Sequence, residues 1–215
     1  MTREVGIETC GAGNGYAHPA YSEACERNKR PILAVLTDAF AERSNVLEIG
    51  SGTGQHAVYF ADNLSHLEWQ PSELPECLPS LHARLTAEGP GNVAEPVPLN
   101  VHEHPWLSRG RKRTDGLFTA NTLHIMSWQD VEHFFKGVGE LLASPSILCI
   151  YGPFRYGGGY TSESNAAFDR FLRHRDPMSG IRDFEAISNL AECQGLRFLE
   201  DHSLPANNQL LIWAR

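Results

Sequence analysis

The sequence predicts an α/β fold, a three-layer sandwich on a seven-stranded, mostly parallel sheet that closes in a C-terminal antiparallel hairpin. Three observations carry this expectation. From residue 46 onward strand-like and helix-like runs alternate, the pattern of right-handed crossovers that cover a parallel sheet on both faces. The last two strand-like runs, 196–200 and 210–213, have too short a link for a crossover helix and so pair antiparallel at an edge. The first strand-like run ends in Gly50-Ser51-Gly52-Thr53-Gly54, where glycine lets a strand turn sharply into a helix and a ligand approach bare backbone.

The elements follow in order. Residues 1–22, rich in glycine and polar groups, read as a flexible arm or lid, and 23–215 as one domain. A helical segment over 22–43 places Ile32, Leu33, Leu36, Ala39 and Phe40 at helical spacing, with Pro31 breaking or restarting it. Strands are predicted at 46–49, 67–70, 97–101, 116–120, 147–151, 196–200 and 210–213. Helices are predicted at 55–64, 75–88, 128–142, 163–174 and 183–194. In the helix over 128–142, Trp128, Val131, Phe134, Phe135, Val138, Leu141 and Leu142 share one face, and Ser127 with Asp130 forms a capping box.

With 18 basic and 26 acidic residues the net charge is −8, which argues against a nucleic-acid partner. The one dense basic run, Arg109-Gly110-Arg111-Lys112-Arg113, lacks interleaved aromatics and reads as a loop. The cysteines Cys10, Cys25, Cys77, Cys149 and Cys193 are scattered, and His102-Glu103-His104 runs into Pro105; neither spacing predicts a metal site or a disulfide framework. No apolar run suits a leader or a membrane span, so a soluble cytoplasmic protein without a membrane partner is expected.

In open α/β sheets ligands bind beyond the carboxyl ends of the strands. Glu48 lies two residues before Gly50, at the inner end of a strand, where a carboxylate is costly to bury without a partner. A ligand ammonium is the expected partner; a pyrophosphate would be repelled. The N–H groups at the start of the following helix favour a polar or anionic ligand group. Ser72 and Glu73 follow the second strand, where a carboxylate can accept two ribose hydroxyls or these residues can cap the next helix. Asn100 follows the third strand and can reach a nucleobase edge or serve as a turn residue; His124, after the fourth, is a site residue or a hydrogen-bonded core histidine.

Taken together, Val46-Leu47-Glu48-Ile49-Gly50-Ser51-Gly52-Thr53-Gly54-Gln55-His56, Glu68-Trp69-Gln70-Pro71-Ser72, Tyr151-Gly152-Pro153-Phe154, Gly180-Ile181-Arg182-Asp183 and Pro205-Ala206-Asn207-Asn208, with Cys25-Glu26-Arg27-Asn28-Lys29, Pro31-Ile32-Leu33, Ser164-Asn165 and Phe168-Asp169, resemble a known pattern. The chain resembles the seven-stranded, Rossmann-like S-adenosylmethionine-dependent methyltransferases, and within them the methyltransferase-like 26 family, over 24–215. The family usually carries Asp at the positions of Glu73 and Asn100. The resemblance implies methyl transfer from S-adenosylmethionine to a small-molecule acceptor by in-line attack on the sulfonium, leaving S-adenosylhomocysteine, in a monomer or homodimer.

It implies a cofactor set of Arg27, Asn28, Glu48, Gly50, Ser51, Gly52, Gln55, Ser72, Glu73, Asn100, Val101 and Asn121, with Arg27 on the cofactor carboxylate. His124, Tyr151 and Asp183 are the candidate catalytic residues, His124 having an ordinary pKa suited to proton removal near neutrality. Arg155, Asn165, Asp169, Arg182, Asn207 and Asn208 are the candidate acceptor contacts; Arg155, Arg173 and Arg182 hint at an anionic acceptor or pair with Asp169, Asp176 and Asp183. Gly157-Gly158-Gly159 is expected as a mobile cover or a tolerant loop. Two other functions compete: a nicotinamide oxidoreductase, which Glu48 and the terminal hairpin disfavour, and a catalytically silent binding or sensor protein.

Overall fold

The computed structural model describes residues 21–107 and 112–215; most of the arm, and Arg109, Gly110 and Arg111 of the basic run, lie outside the described residues. In chain order the elements are α1 (Glu23–Ala39), β1 (Asn45–Ile49), α2 (Gln55–Asn63), β2 (Glu68–Glu73), α3 (Leu78–Glu88), β3 (Val97–Pro98), β4 (Gly116–Ala120), α4 (Trp128–Leu141), β5 (Ile147–Gly152), β6 (Phe154–Tyr156), β7 (Gly159–Tyr160), α5 (Glu163–Arg175), β8 (Arg182–Asp183), α6 (Phe184–Cys193), β9 (Arg197–Leu204) and β10 (Asn208–Ala214).

The main sheet has seven strands in the order β3-β2-β1-β4-β5-β10-β9. The first five are parallel, and β10 runs antiparallel to both β5 and β9, as the short link requires. The period-two alternation of strand side chains divides the apolar residues between two layers. Leu47, Ile49, Leu117, Leu148, Ile150, Leu211 and Trp213 pack with Val131, Phe134 and Phe135 of α4 and Ile187 of α6. Val46, Trp69, Phe118, Cys149, Tyr151, Leu210 and Ile212 pack with Ile32 and Leu36 of α1 and Phe60 of α2 on the opposite face. Each face is thus closed by helices, the arrangement a largely parallel sheet needs.

Several local expectations are corrected. Pro31 lies within α1 without ending it; Ile32 and Leu36 beyond it are fully buried, and that packing outweighs the missing backbone hydrogen bond. The strand expected over 97–101 pairs only at Val97–Pro98, because Pro98 has no N–H for the ladder. The helix expected from residue 75 begins at Leu78. A second sheet, β7-β6-β8, was not expected: Gly157 and Gly158, with φ of 55° and 76°, form the turn between β6 and β7, so the triglycine is a tight hairpin. Where the basic run is described, Lys112 pairs with Glu68 and the Arg113 guanidinium donates to the Ala143 carbonyl at 2.7 Å. Among the described residues no helix is long and apolar enough to cross a membrane, and no group of three or more His, Cys, Asp or Glu is arranged to hold a metal ion.

The loop after β3 is anchored to α4 by Trp106, whose indole lies against Gly137. A Cβ at Gly137 would fall 2.1 Å from the Trp106 ring, and both residues are buried. Gly137→Ala should therefore lower stability by about 1–3 kcal/mol through overpacking, against the roughly 1 kcal/mol that alanine gains in a helix. Urea denaturation reads this as a lower midpoint; an unchanged or higher midpoint would mean that Trp106 gives way freely.

Candidate functional site

The glycine turn joins β1 to α2 with Gly50, Gly52 and Gly54 at φ of 70°, 53° and 75°, a backbone region that L side chains rarely adopt. At Gly50 a Cβ would also lie 2.7 Å from Thr122 Cγ2, so the loop after β4 presses directly on the turn. Thr119 and Thr122 share a hydroxyl contact of 2.7 Å, and Thr119 donates to the Ile49 carbonyl at 2.8 Å. On the other side Ser72 donates to the Glu48 carbonyl at 2.7 Å, and Ser51 N–H donates to the Ser72 carbonyl at 3.0 Å. The carboxyl ends of β1, β2 and β4 are therefore tied into one platform. Gly52 faces outward: among the described residues, no heavy atom beyond its own chain neighbours lies within 4 Å of where its Cβ would stand.

Alternation along β1 turns Glu48 toward the α1–α2 layer, where it is 2 % exposed. Its Oε2 accepts the Trp69 indole N–H at 2.9 Å, and Ser51 also bonds the carboxylate. Burial pushes its pKa up to about 7, against the lowering effect of those two donors, and the nearby Glu73 adds to the rise. The sequence reading supplied no internal partner for Glu48; Trp69 was hidden because it reaches Glu48 only through the parallel register of β1 and β2. None of these neighbours is a cation, and no salt bridge to the carboxylate is seen among the described residues.

Other members of the expected cofactor set are placed as follows. The Glu73 carboxylate accepts from Gly52 N–H at 2.7 Å and Leu74 N–H at 2.8 Å, across the mouth of the turn. Asn100 takes the turn reading: its Oδ1 accepts His102 N–H at 3.1 Å, with half-buried Val101 between them. Asn121, at φ 60°, donates its N–H to the Tyr151 carbonyl at 2.9 Å. Gln55 is buried and bonds both backbone groups of Ser22 through its amide, at 2.5 and 3.3 Å, tying the start of α1 to the turn. Asn28 meets His56 Nε2 at 2.7 Å and also bonds Tyr151. Arg27 lies largely exposed and pairs with Glu23 at 3.0 Å.

The candidate catalytic and acceptor residues need more correction. Tyr151 is buried, its hydroxyl accepts from Asn208 at 2.9 Å, and burial raises its pKa, so it is a poor proton carrier. Asp183 pairs with Arg155 at 2.6 Å. Asp169 accepts from Tyr160, Arg173 and Ile181 N–H at 2.7, 2.8 and 2.6 Å; burial raises its pKa, but these donors outweigh it and hold it below the ordinary value. Arg182 donates to the Leu123, Met126 and Met178 carbonyls. Asn165 donates to Thr161 and the Asn207 carbonyl, and Asn207 to Ser164. These side chains hold β6, β7, α5 and β8 to the main sheet, each bonded to another group of the protein, although Arg155 Nε and Asp183 Oδ1 keep no hydrogen-bond partner among the described residues. His124 is buried, and burial, helped by Arg182 and Arg175, lowers its pKa to about 3; it is a neutral imidazole, not a base titrating near neutrality.

The sequence reading missed Trp69, Thr119, Thr122 and His56. A polar residue in a strand pattern, such as Thr119, is a signal that could have found one of them. A depression of about 630 Å³ opens at the opposite end of the sheet, beside Ser44, Asn45, Glu68 and Asn92. It lies at the amino ends of β1 and β2, far from the glycine turn, and lacks its features.

The profile of a family described as "Protein of unknown function (DUF938)" matches residues 19–215. Solved structures share the fold at low sequence identity. An O-methyltransferase family protein from Burkholderia thailandensis is 18% identical, with a TM-score of 0.76 over 90% of this chain and 57% of its own. Human N-acetylserotonin methyltransferase, in complex with SAM, is 12% identical, with a TM-score of 0.75 over 90% of this chain and 53% of its own. PigF with SAH is 16% identical, with a TM-score of 0.73 over 88% of this chain and 56% of its own. This chain thus spans little more than half the length of these structures.

The raised Glu48 pKa has a consequence for stability. The folded state holds the proton more tightly than the unfolded chain, so this residue's contribution is greatest below the ordinary value of 4.5 and is lost as pH rises through about 7. Relative to Glu48→Gln, the parent should lose about 3 kcal/mol across that window, at 1.36 kcal/mol per pH unit. Paired urea titrations at several pH values measure it; a constant difference between the two proteins would contradict the assignment.

Proposed function

The chain belongs to the DUF938 family, and from the geometry of its strand ends we propose that it transfers a methyl group from S-adenosylmethionine to a small-molecule acceptor. The single observation that carries this is Glu48: a buried carboxylate bonded only to neutral donors among the described residues, just before a turn that the described residues leave open at Gly52. The donor set fits the group. Glu48 would accept the ammonium, and the α2 amino terminus with its bare glycines would carry the methionine end. Glu73, now bonded to Gly52 N–H, has the carboxylate to take ribose hydroxyls; the turn of Asn100 and Val101 would hold the nucleobase, and Asn28 and Arg27 would serve the carboxylate end.

When bound, the sulfonium would supply an electrophilic methyl: the acceptor's lone pair would form the new bond as the carbon–sulfur bond breaks with its electron pair kept on sulfur, and the acceptor's proton would pass to water. The protein's part is positioning and water exclusion, which can supply much of such an acceleration. Thr119 and Thr122 hold Gly50 in place, Ser72 holds the end of β1, and the cap built from β6 to β8 shields the acceptor side. The fold shared with O-methyltransferases and the likeness to the methyltransferase-like 26 family support this reading.

Calorimetry tests it. The parent protein should bind S-adenosylmethionine and not NADH, and Glu48→Ala should weaken the first by about 10- to 100-fold, the scale of about 1.4–2.8 kcal/mol expected for losing one side of a charged pair. Absence of binding by the parent, or equal binding by the variant, would refute it.

A further inference from the structure

His124 is 4 % exposed, yet among the described residues no hydrogen bond reaches its ring. What surrounds the ring is Phe168, edge-on at a centroid distance of 5.4 Å, and the bare face of Gly152, whose Cβ would stand 3.7 Å from Nδ1. A neutral imidazole carries one donor and one acceptor, and the His124 nitrogens are not among the sealed-off polar atoms of the described residues, so both are left to solvent or to a ligand. Its place is specific. Thr122, two residues earlier, touches the glycine turn, and Gly152 ends β5. The ring therefore lies between the carboxyl ends of β4 and β5, beside the platform that carries the donor.

Next to it stands an apolar wall that the described residues leave exposed. Phe171 stacks on Phe168 at 6.5 Å with an interplanar angle of 15°. Phe171 is 48 % exposed, Met178 59 % and Ile125 38 %, unusual exposure for large apolar side chains drawn from one neighbourhood. These segments are fixed to one another: Gly180 N–H donates to the His124 carbonyl at 2.9 Å, and Ser179 donates to the Ile125 carbonyl at 3.0 Å. Arg182 binds the carbonyls of Leu123, Met126 and Met178. The segments are thus fixed to one another, and two roughly parallel rings lead to one imidazole that no protein hydrogen bond engages among the described residues.

We infer that the acceptor is a flat aromatic molecule bearing a hydroxyl or amine, its ring against Phe168 and Phe171 and its polar atom on the His124 imidazole. A planar ring gains stacking that a puckered one does not, and one polar atom answers the imidazole. Because His124 stays neutral through the physiological range, it offers the polar atom a hydrogen bond without demanding a charge. This inference rests on the proposed methyl-transfer reading for the adjacent donor, and it names the acceptor's class.

Three probes separate its parts: naphthol, decahydronaphthol, which has the same skeleton saturated and puckered, and naphthalene, which lacks the polar atom. Binding is measured by calorimetry on the full chain loaded with S-adenosylhomocysteine, whose own binding is measured first. Naphthol should bind about tenfold more tightly than either of the others. Phe171→Ala combined with Met178→Ala, both at exposed positions where truncation leaves folding intact, should weaken naphthol about fivefold and leave S-adenosylhomocysteine affinity unchanged. His124→Phe should abolish the preference for naphthol over naphthalene. Equal or tighter binding of decahydronaphthol, or a double variant that binds naphthol as the parent does, overturns the inference. If S-adenosylhomocysteine fails to bind, the donor reading falls, and the same comparison on the free protein still decides the acceptor wall.

Discussion

A carboxylate buried at the carboxyl end of a central strand is the constraint on which the rest of this site depends. Glu48 is enclosed by α1, α2 and β2, and the indole N–H of Trp69 is the donor that makes the enclosure tolerable. That contact exists only because β1 and β2 pair in parallel in one register, with Val46 beside Trp69 and Glu48 beside Pro71. The same register brings Ser72 under the Glu48 carbonyl and Glu73 across to Gly52. One strand pairing therefore sets the burial of the carboxylate, the closure of the glycine turn and the position of the second acid at its mouth. A carboxylate held partly protonated in this way is a group prepared for a cation.

Much of this was legible in the sequence because it is local. The alternation of runs, the three glycines, the Ser127–Asp130 capping box and the short final link each act within a few residues, and all appear in the fold. Glu48 stood out because a strand-end acid is expensive wherever the strand lies. What was not legible is contact between distant segments. Trp69 looks like any core tryptophan until the sheet register is known, and Thr119 and Thr122 gain meaning only when β4 is placed beside β1. The small sheet β7-β6-β8 joins residues 154–160 to 182–183 through two-residue pairings, too short to leave a periodic pattern.

The charged and polar residues after β5 show the same limit from the other side. Arg155, Asp169, Asp183, Asn165 and Asn207 suggested an open acceptor pocket, yet each is engaged by a group of the protein itself. Buried polar groups are satisfied somewhere, and a sequence does not say by whom. Their work here is to hold a cap in place over the strand ends. His124 has the opposite history: one of its readings was a hydrogen-bonded core histidine, and the structure buries it without the hydrogen bonds. In the proposed reading the chemistry of the acceptor side falls to that imidazole and its aromatic neighbours, not to the arginines.

The central claim, that Glu48 awaits the ammonium of the methyl donor, is tested most directly by following its carboxylate carbon by NMR in protein labelled with carbon-13 glutamate, assigned with Glu48→Gln. In the free protein it should titrate near the value of about 7; with S-adenosylmethionine bound it should move down toward the ordinary carboxylate range, because a neighbouring positive charge favours the ionised form. A titration midpoint that stays the same with the donor bound would contradict the account.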